Sequence, residues 1–157
     1  MLDGRVVDQY VQATVDAKRR FDHAFGFPVF ADIADEGDHT TGRQRGRYLV
    51  EALGHCGACH TPRNFLAGPD FSRWLGGAPS LEGDGRVPNI TPSRDGLESW
   101  STADIAYYLK SGFTPDFDTV GGAMVDVQEN LARLPDADRE AIAAYLKAVP
   151  PVSDPAD

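Results

Sequence analysis

Cys56-Gly57-Ala58-Cys59-His60 sets two thiols three positions apart and puts an imidazole directly after the second. C-x-x-C-H spacing lets one peptide segment hold a haem covalently, the thiols adding across its vinyl groups, and turn a histidine nitrogen onto the iron. These are the only 2 cysteines in the chain, so no thiol is left for another purpose. Two other chemistries use part of the pattern. A redox dithiol sits after a buried strand at the start of a helix, where the helix terminus lowers a thiol pKa, but residues 46–54 read as a helix instead. A structural zinc site needs four protein ligands, and the remaining nitrogens, on His23, His39 and His55, stand at neither zinc-finger nor zinc-ribbon spacing. Covalent haem c is the reading that uses every residue of the motif.

His60 supplies one axial bond, so the chemistry depends on what faces the iron from the other side. Apart from Met1 the chain has a single methionine, Met124, in the stretch Gly121-Gly122-Ala123-Met124, which reads as a loop. Glycines there let the backbone come close to a haem edge and aim the thioether inward. The plain alternative is a methionine that only fills a gap in the core. His55 is tied to the attachment segment and poorly placed for the opposite face, while His23 and His39 belong to the N-terminal stretch; an open site is the last alternative. A His/Met pair saturates the iron and raises its potential relative to His/His ligation, which leaves outer-sphere electron transfer as the available chemistry. A haem enzyme needs a displaceable or thiolate ligand instead, and no third cysteine exists to provide one.

The elements that must position these groups read as helices joined by one long loop. Thr41 with Gln44 three residues on is a capping box, Tyr48, Leu49, Ala52 and Leu53 form a helical stripe, and Gly54 ends it. From Thr61 to Ser99 glycines and prolines dominate, a length of irregular chain that suits wrapping a ligand. Ser101 and Asp104 open a further helix, with Ile105, Tyr108 and Leu109 buried and Gly112 as its stop. In the last helix Pro135 takes the first position, Asp136 and Asp138 favour the positive end of the dipole, and Ile142, Tyr145, Leu146 and Val149 make the buried stripe until Pro150-Pro151. No strand alternation stands out. Upstream, residues 4–22 carry Val7, Val11 and Val15 on one helical stripe after Asp3 as cap, followed by an aromatic run and an acidic connection. The chain therefore divides into a helical extension with acidic linker (1–40), a haem domain (41–151) and a polar tail (152–157).

At 157 residues, a length that one domain with a sizeable core can fill, 15 basic against 24 acidic side chains give a net charge of -9. That balance argues against a nucleic-acid partner and suits docking to a basic redox partner or simple solvation. No run approaches a membrane helix, and the first thirty residues lack the apolar core of a secretory signal. Covalent attachment of haem to this motif in bacteria is expected outside the cytoplasm, so the expectation is a periplasmic protein whose export signal or membrane anchor lies outside the chain.

The run Arg47 to Asn64, with Gly54-His55-Cys56-Gly57-Ala58-Cys59-His60-Thr61-Pro62-Arg63-Asn64 at its end, resembles the haem segment of class I c-type cytochromes, found as cytochrome subunits of bacterial periplasmic alcohol, aldehyde and sugar-acid dehydrogenases. Val87-Pro88-Asn89-Ile90-Thr91-Pro92, then Gly96 and Trp100-Ser101, residues 104–112, Met124 and residues 138–150 continue the match in order, across about residues 43–151. The resemblance implies an all-α class I cytochrome c fold, four to five helices around one covalent haem c. It implies Cys56 and Cys59 as thioether anchors, His60 as proximal and Met124 as distal ligand, and Pro88 as the residue whose carbonyl fixes the second ring nitrogen of His60. Asn89, Thr91, Arg63 and Trp100 are its candidates for propionate contacts, and Gly46 or Tyr48 for the crossing of the first and last helices. It further implies a carrier, not an enzyme, that accepts electrons from a periplasmic dehydrogenase and delivers them to a downstream cytochrome, oxidase or quinone-linked complex of the respiratory chain. An alternative makes the haem structural and the extension a dock on a larger redox complex. Many family members carry three haem domains and a membrane-binding segment; this chain has one motif, so membrane association rests on a missing anchor or a partner. Pro135 stands where Ser or Thr is the usual cap, and residues 1–40 have no clear counterpart.

Overall fold

The computed structural model describes residues 39–80, 83 and 85–153. The helix expected over residues 4–22, with nearly all of the extension, and residues 154–157 of the tail lie outside the described residues. The first described helix, α1, is His39–Tyr48 and passes directly into a π-helical turn, Leu49–Leu53. Thr41 therefore lies inside the helix, not at its cap, because helical bonding extends upstream to His39. The expected stripe also fails where the hydrogen bonding widens: the N–H of Gly54 reaches the carbonyl of Leu49, five residues back, at 2.7 Å. A stripe drawn at 3.6 residues per turn cannot follow a π turn. Leu49 is buried as expected, but Val50 (0% exposed) replaces Tyr48 (50%) and Leu53 (59%) in the core, and Ala52 is exposed too.

Gly54 ends this segment in a right-handed conformation, and His55 then takes the left-handed one (φ 48). That turn redirects the chain into the five-residue helix α2, Cys56–His60. The breaker-rich stretch that follows is loop as expected, apart from a 3-10 turn at Phe71–Arg73 and a small antiparallel pair. In that pair β1 (Ala78–Pro79) meets β2 (Arg86–Val87), Ala78 opposite Val87 and Pro79 opposite Arg86.

Helix α3, Thr102–Ser111, has both halves of its capping box: the Asp104 N–H donates to Ser101 Oγ (3.1 Å) and the Ser101 N–H to Asp104 Oδ2 (2.8 Å). Gly112 closes it at φ 77, where a residue with a Cβ is strained. Met124 does not lie in a loop, because Met124–Leu131 forms helix α4 and the irregular chain ends at Ala123. Helix α5 is Asp136–Leu146, with Pro135 as its cap, not its first residue: Pro135 is extended (ψ 149) while its carbonyl accepts the first helical bonds. The helix stops at Leu146, yet Val149 stays buried because its N–H turns back to the Tyr145 carbonyl at 3.1 Å.

Helices α1 and α5 cross at Gly46, where a Cβ would lie 1.9 Å from the Ala141 carbonyl oxygen. This glycine, and not Tyr48, permits the crossing. Two cross-links flank it: Arg45 pairs with Asp138 through two bonds of 2.9 Å, and the Tyr145 hydroxyl donates to Glu51 Oε1 at 2.5 Å. Between them Leu49, Val50, Ile142, Leu146, Ile105 and Leu109 form the common core, each worth roughly 1.5–3 kcal/mol of burial. Among the described residues the architecture is all-α with one minimal strand pair, and no helix is long and apolar enough to cross a membrane.

Candidate functional site

Both cysteines and His60 share the short helix α2, so the fold delivers them as one unit. Its packing explains Gly57: a Cβ there would lie 2.2 Å from the Trp74 ring, so the indole lies directly on the turn. Trp74 in turn stacks on Phe71 with ring centroids 5.8 Å apart. Both thiols are free, Cys59 exposed and Cys56 half-buried. Burial pushes the Cys56 thiol up to about 11, the opposite of the lowered pKa that a redox dithiol requires. No cluster of three or more His, Cys, Asp or Glu able to hold a metal ion occurs among the described residues.

His60 is buried, 8% exposed, and its Nδ1 lies 2.8 Å from the Pro88 carbonyl oxygen. A carbonyl only accepts, so Nδ1 carries the proton and Nε2 keeps its lone pair. Burial holds the imidazole pKa below its ordinary value against the opposing pull of that carbonyl, which keeps the ring neutral at pH 7. A neutral imidazole with one nitrogen anchored and the other available is what a metal ligand needs.

The loop that presents Pro88 is itself bound to the motif. The Gly77 N–H donates to the His60 carbonyl (2.8 Å), the Leu75 N–H to Thr61 Oγ1 (3.0 Å), and the Ile90 N–H to the Leu75 carbonyl (3.0 Å). Gly77, at φ 82, leaves no room for a Cβ against the backbone of Val87 and Asn89. Asn89 Oδ1 accepts from the Thr91 N–H (2.8 Å) and hydroxyl (2.7 Å), while its Nδ2 donates to Ser93 Oγ and the Val152 carbonyl. The polar atoms of Asn89 and the buried Thr91 are thus turned on each other and on the C-terminal segment. Arg63 is exposed and donates to the Ala58 carbonyl inside α2 at 3.2 Å. Trp100 lies edge-on to Tyr108, centroids 5.5 Å apart.

Met124, half-buried, is the first residue of α4, and its cap residue Ala123 offers no side-chain hydrogen bond. Two buried polar side chains that sequence reasoning passed over hold the rest of this helix. Gln128 donates to the Leu109 carbonyl at the end of α3 (3.3 Å), and Arg139 donates to the carbonyls of Leu131 (3.2 Å), Ala132 (3.0 Å) and Leu134. His55 is exposed at the turn before the motif, His39 begins α1, and His23 lies outside the described residues. Two thiols, a neutral imidazole with Nε2 available and a thioether fit covalent haem c in kind and in ligand softness.

A family model described as "Cytochrome c" matches residues 44–150. The chain is 61% identical over 117 residues to a "Diheme cytochrome c-type" protein of Cereibacter sphaeroides, covering 74% of this chain and 38% of that one. It is 47% identical over 113 residues to a "Fructose dehydrogenase cytochrome subunit" of Gluconobacter japonicus (71% and 23%). It is 43% identical over 125 residues to an "Alcohol dehydrogenase (quinone), cytochrome c subunit" of Gluconacetobacter polyoxogenes (69% and 24%). The chain thus spans between about a quarter and two fifths of the length of these relatives.

Proposed function

The chain belongs to the cytochrome c family, and on that premise we propose that residues 41–151 form a mono-haem electron carrier acting as, or within, the cytochrome subunit of a periplasmic dehydrogenase. Bound there, haem c supplies one-electron redox chemistry at its iron. Cys56 and Cys59 would hold it by thioether bonds, and His60 Nε2 and Met124 Sδ would ligate its iron. Pro88 keeps the imidazole in the tautomer that frees Nε2, and Asn89 and Thr91 serve by shaping the loop that carries Pro88. Arg63 and Trp100 remain the candidates for propionate contact.

The observation that carries this reading is the 2.8 Å contact from His60 Nδ1 to the Pro88 carbonyl, which prepares a neutral ligand. A filled ligand set leaves no position for substrate, so the domain carries electrons and catalyses no reaction of its own. The dehydrogenase names of two relatives support a dehydrogenase as donor; a respiratory acceptor as destination is part of the proposal. Covalent haem attachment in bacteria supports the periplasm.

Spectroscopy of the haem-loaded protein tests it. Mass analysis should give one haem per chain, and the oxidised protein should show the red-edge absorption band of thioether-ligated iron, lost in Met124→Ala. A band unchanged in Met124→Ala, or carbon monoxide binding to the reduced wild type at neutral pH, would overturn the closed His/Met site.

A further inference from the structure

Arg139 lies in the first turn of α5 with 3% of its surface exposed, unusual for so long a cationic side chain. Its Nη1 donates to the carbonyls of Leu131, Ala132 and Leu134, and its Nη2 pairs with Asp136. Leu131 is the last residue of α4 and Ala132 its C-cap. The Leu131 carbonyl also accepts from the Leu134 N–H at 3.1 Å and Leu134 lies beyond the helix, so the guanidinium serves the helix end and the connection after it, where a cation also opposes the negative end of the helix dipole. Asp136 receives Lys110, from the last turn of α3, at 3.2 Å. One buried guanidinium therefore ties the far end of α4 to α5 and, through Asp136, to α3.

The near end of α4 is built differently. Gly121 and Gly122 have open space around them, Gly122 at φ 59, and Ala123 provides no side-chain cap. At that end the Val125 N–H donates to the Gly122 carbonyl at 3.1 Å, and no side-chain cap holds Met124. A helix of 8 residues is about 12 Å long and stiff, so its orientation can be set from one end. We infer that Arg139 is a positioning residue for Met124: by gathering the C-terminal carbonyls of α4 it aims the thioether at the opposite end of that helix. The inference rests on the reading of Met124 as the distal ligand. It assigns to a buried arginine, remote in sequence from every ligand, control over how firmly the sixth position is held.

Imidazole competition in the oxidised, haem-loaded protein measures that firmness, because imidazole enters only as the thioether yields. Arg139→Gln should bind imidazole roughly 10-fold more tightly than wild type, the scale on which outer partners tune a ligand. Arg139→Lys should recover part of the difference, since an ammonium lacks the planar fork that holds the carbonyls with one nitrogen and Asp136 with the other. Gln128→Leu, which releases the mid-helix tie to Leu109, should move imidazole affinity the same way and carries the test if Arg139→Gln does not fold. Arg45→Gln, which breaks the pair with Asp138 at the crossing of α1 and α5, should leave it unchanged. Arg139 and Gln128 variants that lower the denaturation midpoint while imidazole affinity stays at the wild-type value overturn the inference. Wild-type affinity equal to that of Met124→Ala overturns the distal-ligand reading itself, and the two failures are told apart by that variant.

Discussion

The neighbourhood of the motif, residues 54–91, and the segment bearing Met124, residues 112–139, hold His60 and Met124 by different means. Most of the chain that faces α2 is irregular, and His60 is pinned at two atoms: Nδ1 to the Pro88 carbonyl and its own carbonyl to the Gly77 N–H, both at 2.8 Å. Glycines stand where another chain segment touches, as Gly57 does against Trp74. Around Met124 the backbone is helical, the glycines before it have free space, and the groups that tie the helix are Gln128 and the charged set of Arg139, Asp136 and Lys110. His60 is held by direct contact, and Met124, on the inference above, by leverage. If both ligate iron as proposed, direct contact should make His60 the firmer and leverage should make Met124 the more adjustable.

The largest test of that contrast removes each ligand side in turn. Cys56→Ala with Cys59→Ala should abolish covalent haem altogether, read as loss of haem from denatured protein, whereas Met124→Ala should keep all of it. Equal haem loss in both would erase the distinction. Next in size is crowding at the glycines. In Gly57→Ala the added methyl would lie 2.2 Å from the Trp74 ring, and in Gly46→Ala 1.9 Å from the Ala141 carbonyl oxygen. Each should cost about 1–3 kcal/mol or more in denaturant unfolding. Gly121→Ala, which meets nothing within 4 Å on the Met124 side, should cost little.

What was legible in the sequence follows the same division. The motif, the Ser101–Asp104 cap and the Gly112 stop are local signals in which each residue's chemistry dictates its conformation, and the structure has the helix start and stop they imply. The buried face after Tyr48 was not legible, because it depends on a π turn that shifts Val50 inward, and periodicity assumes 3.6 residues per turn. Helix α4 was hidden because two glycines precede it and Ala123 gives no capping signal. Arg139 gave no signal in the sequence; only three-dimensional packing reveals that the carbonyls it serves come from another helix. The tight contacts at Gly57 and Gly77 were equally out of reach, since their partners lie 17 and more than 9 positions away in chain segments without regular pattern.

A smaller effect separates the two sides by acid. Hydrogen bonds and charge from Lys110, then Arg139, hold the Asp136 carboxyl below its ordinary range, and the Ser101 cap does the same for Asp104. A carboxylate whose pKa is lower in the folded state contributes stability that is complete above its unfolded value, about 3.9. That contribution disappears as pH falls through the lower folded value. Both groups sit on α3 and α5, so acid should loosen the methionine side first: the thioether-to-iron band should fade below about pH 4 while the haem stays covalently bound. Asp136→Asn should flatten that pH dependence. Simultaneous loss of the band and of all helical signal would show that the two sides unfold as one.

The smallest effect expected is at the surface pair Arg45 and Asp138, bonded twice at 2.9 Å across the crossing of α1 and α5. Arg45 holds the Asp138 carboxyl below its usual value, but the guanidinium is open to solvent, where screening and side-chain entropy cancel most of the attraction. Arg45→Gln should therefore lower the denaturation midpoint by much less than Gly46→Ala, and the difference should vanish in high salt. The same exposure argument predicts the reverse for Arg139, itself 3% exposed and bonded to half-buried carbonyls that added ions reach less easily. A salt-insensitive loss at Arg139 beside a salt-sensitive one at Arg45 would separate the charge that aims the methionine from the charge that only decorates the crossing.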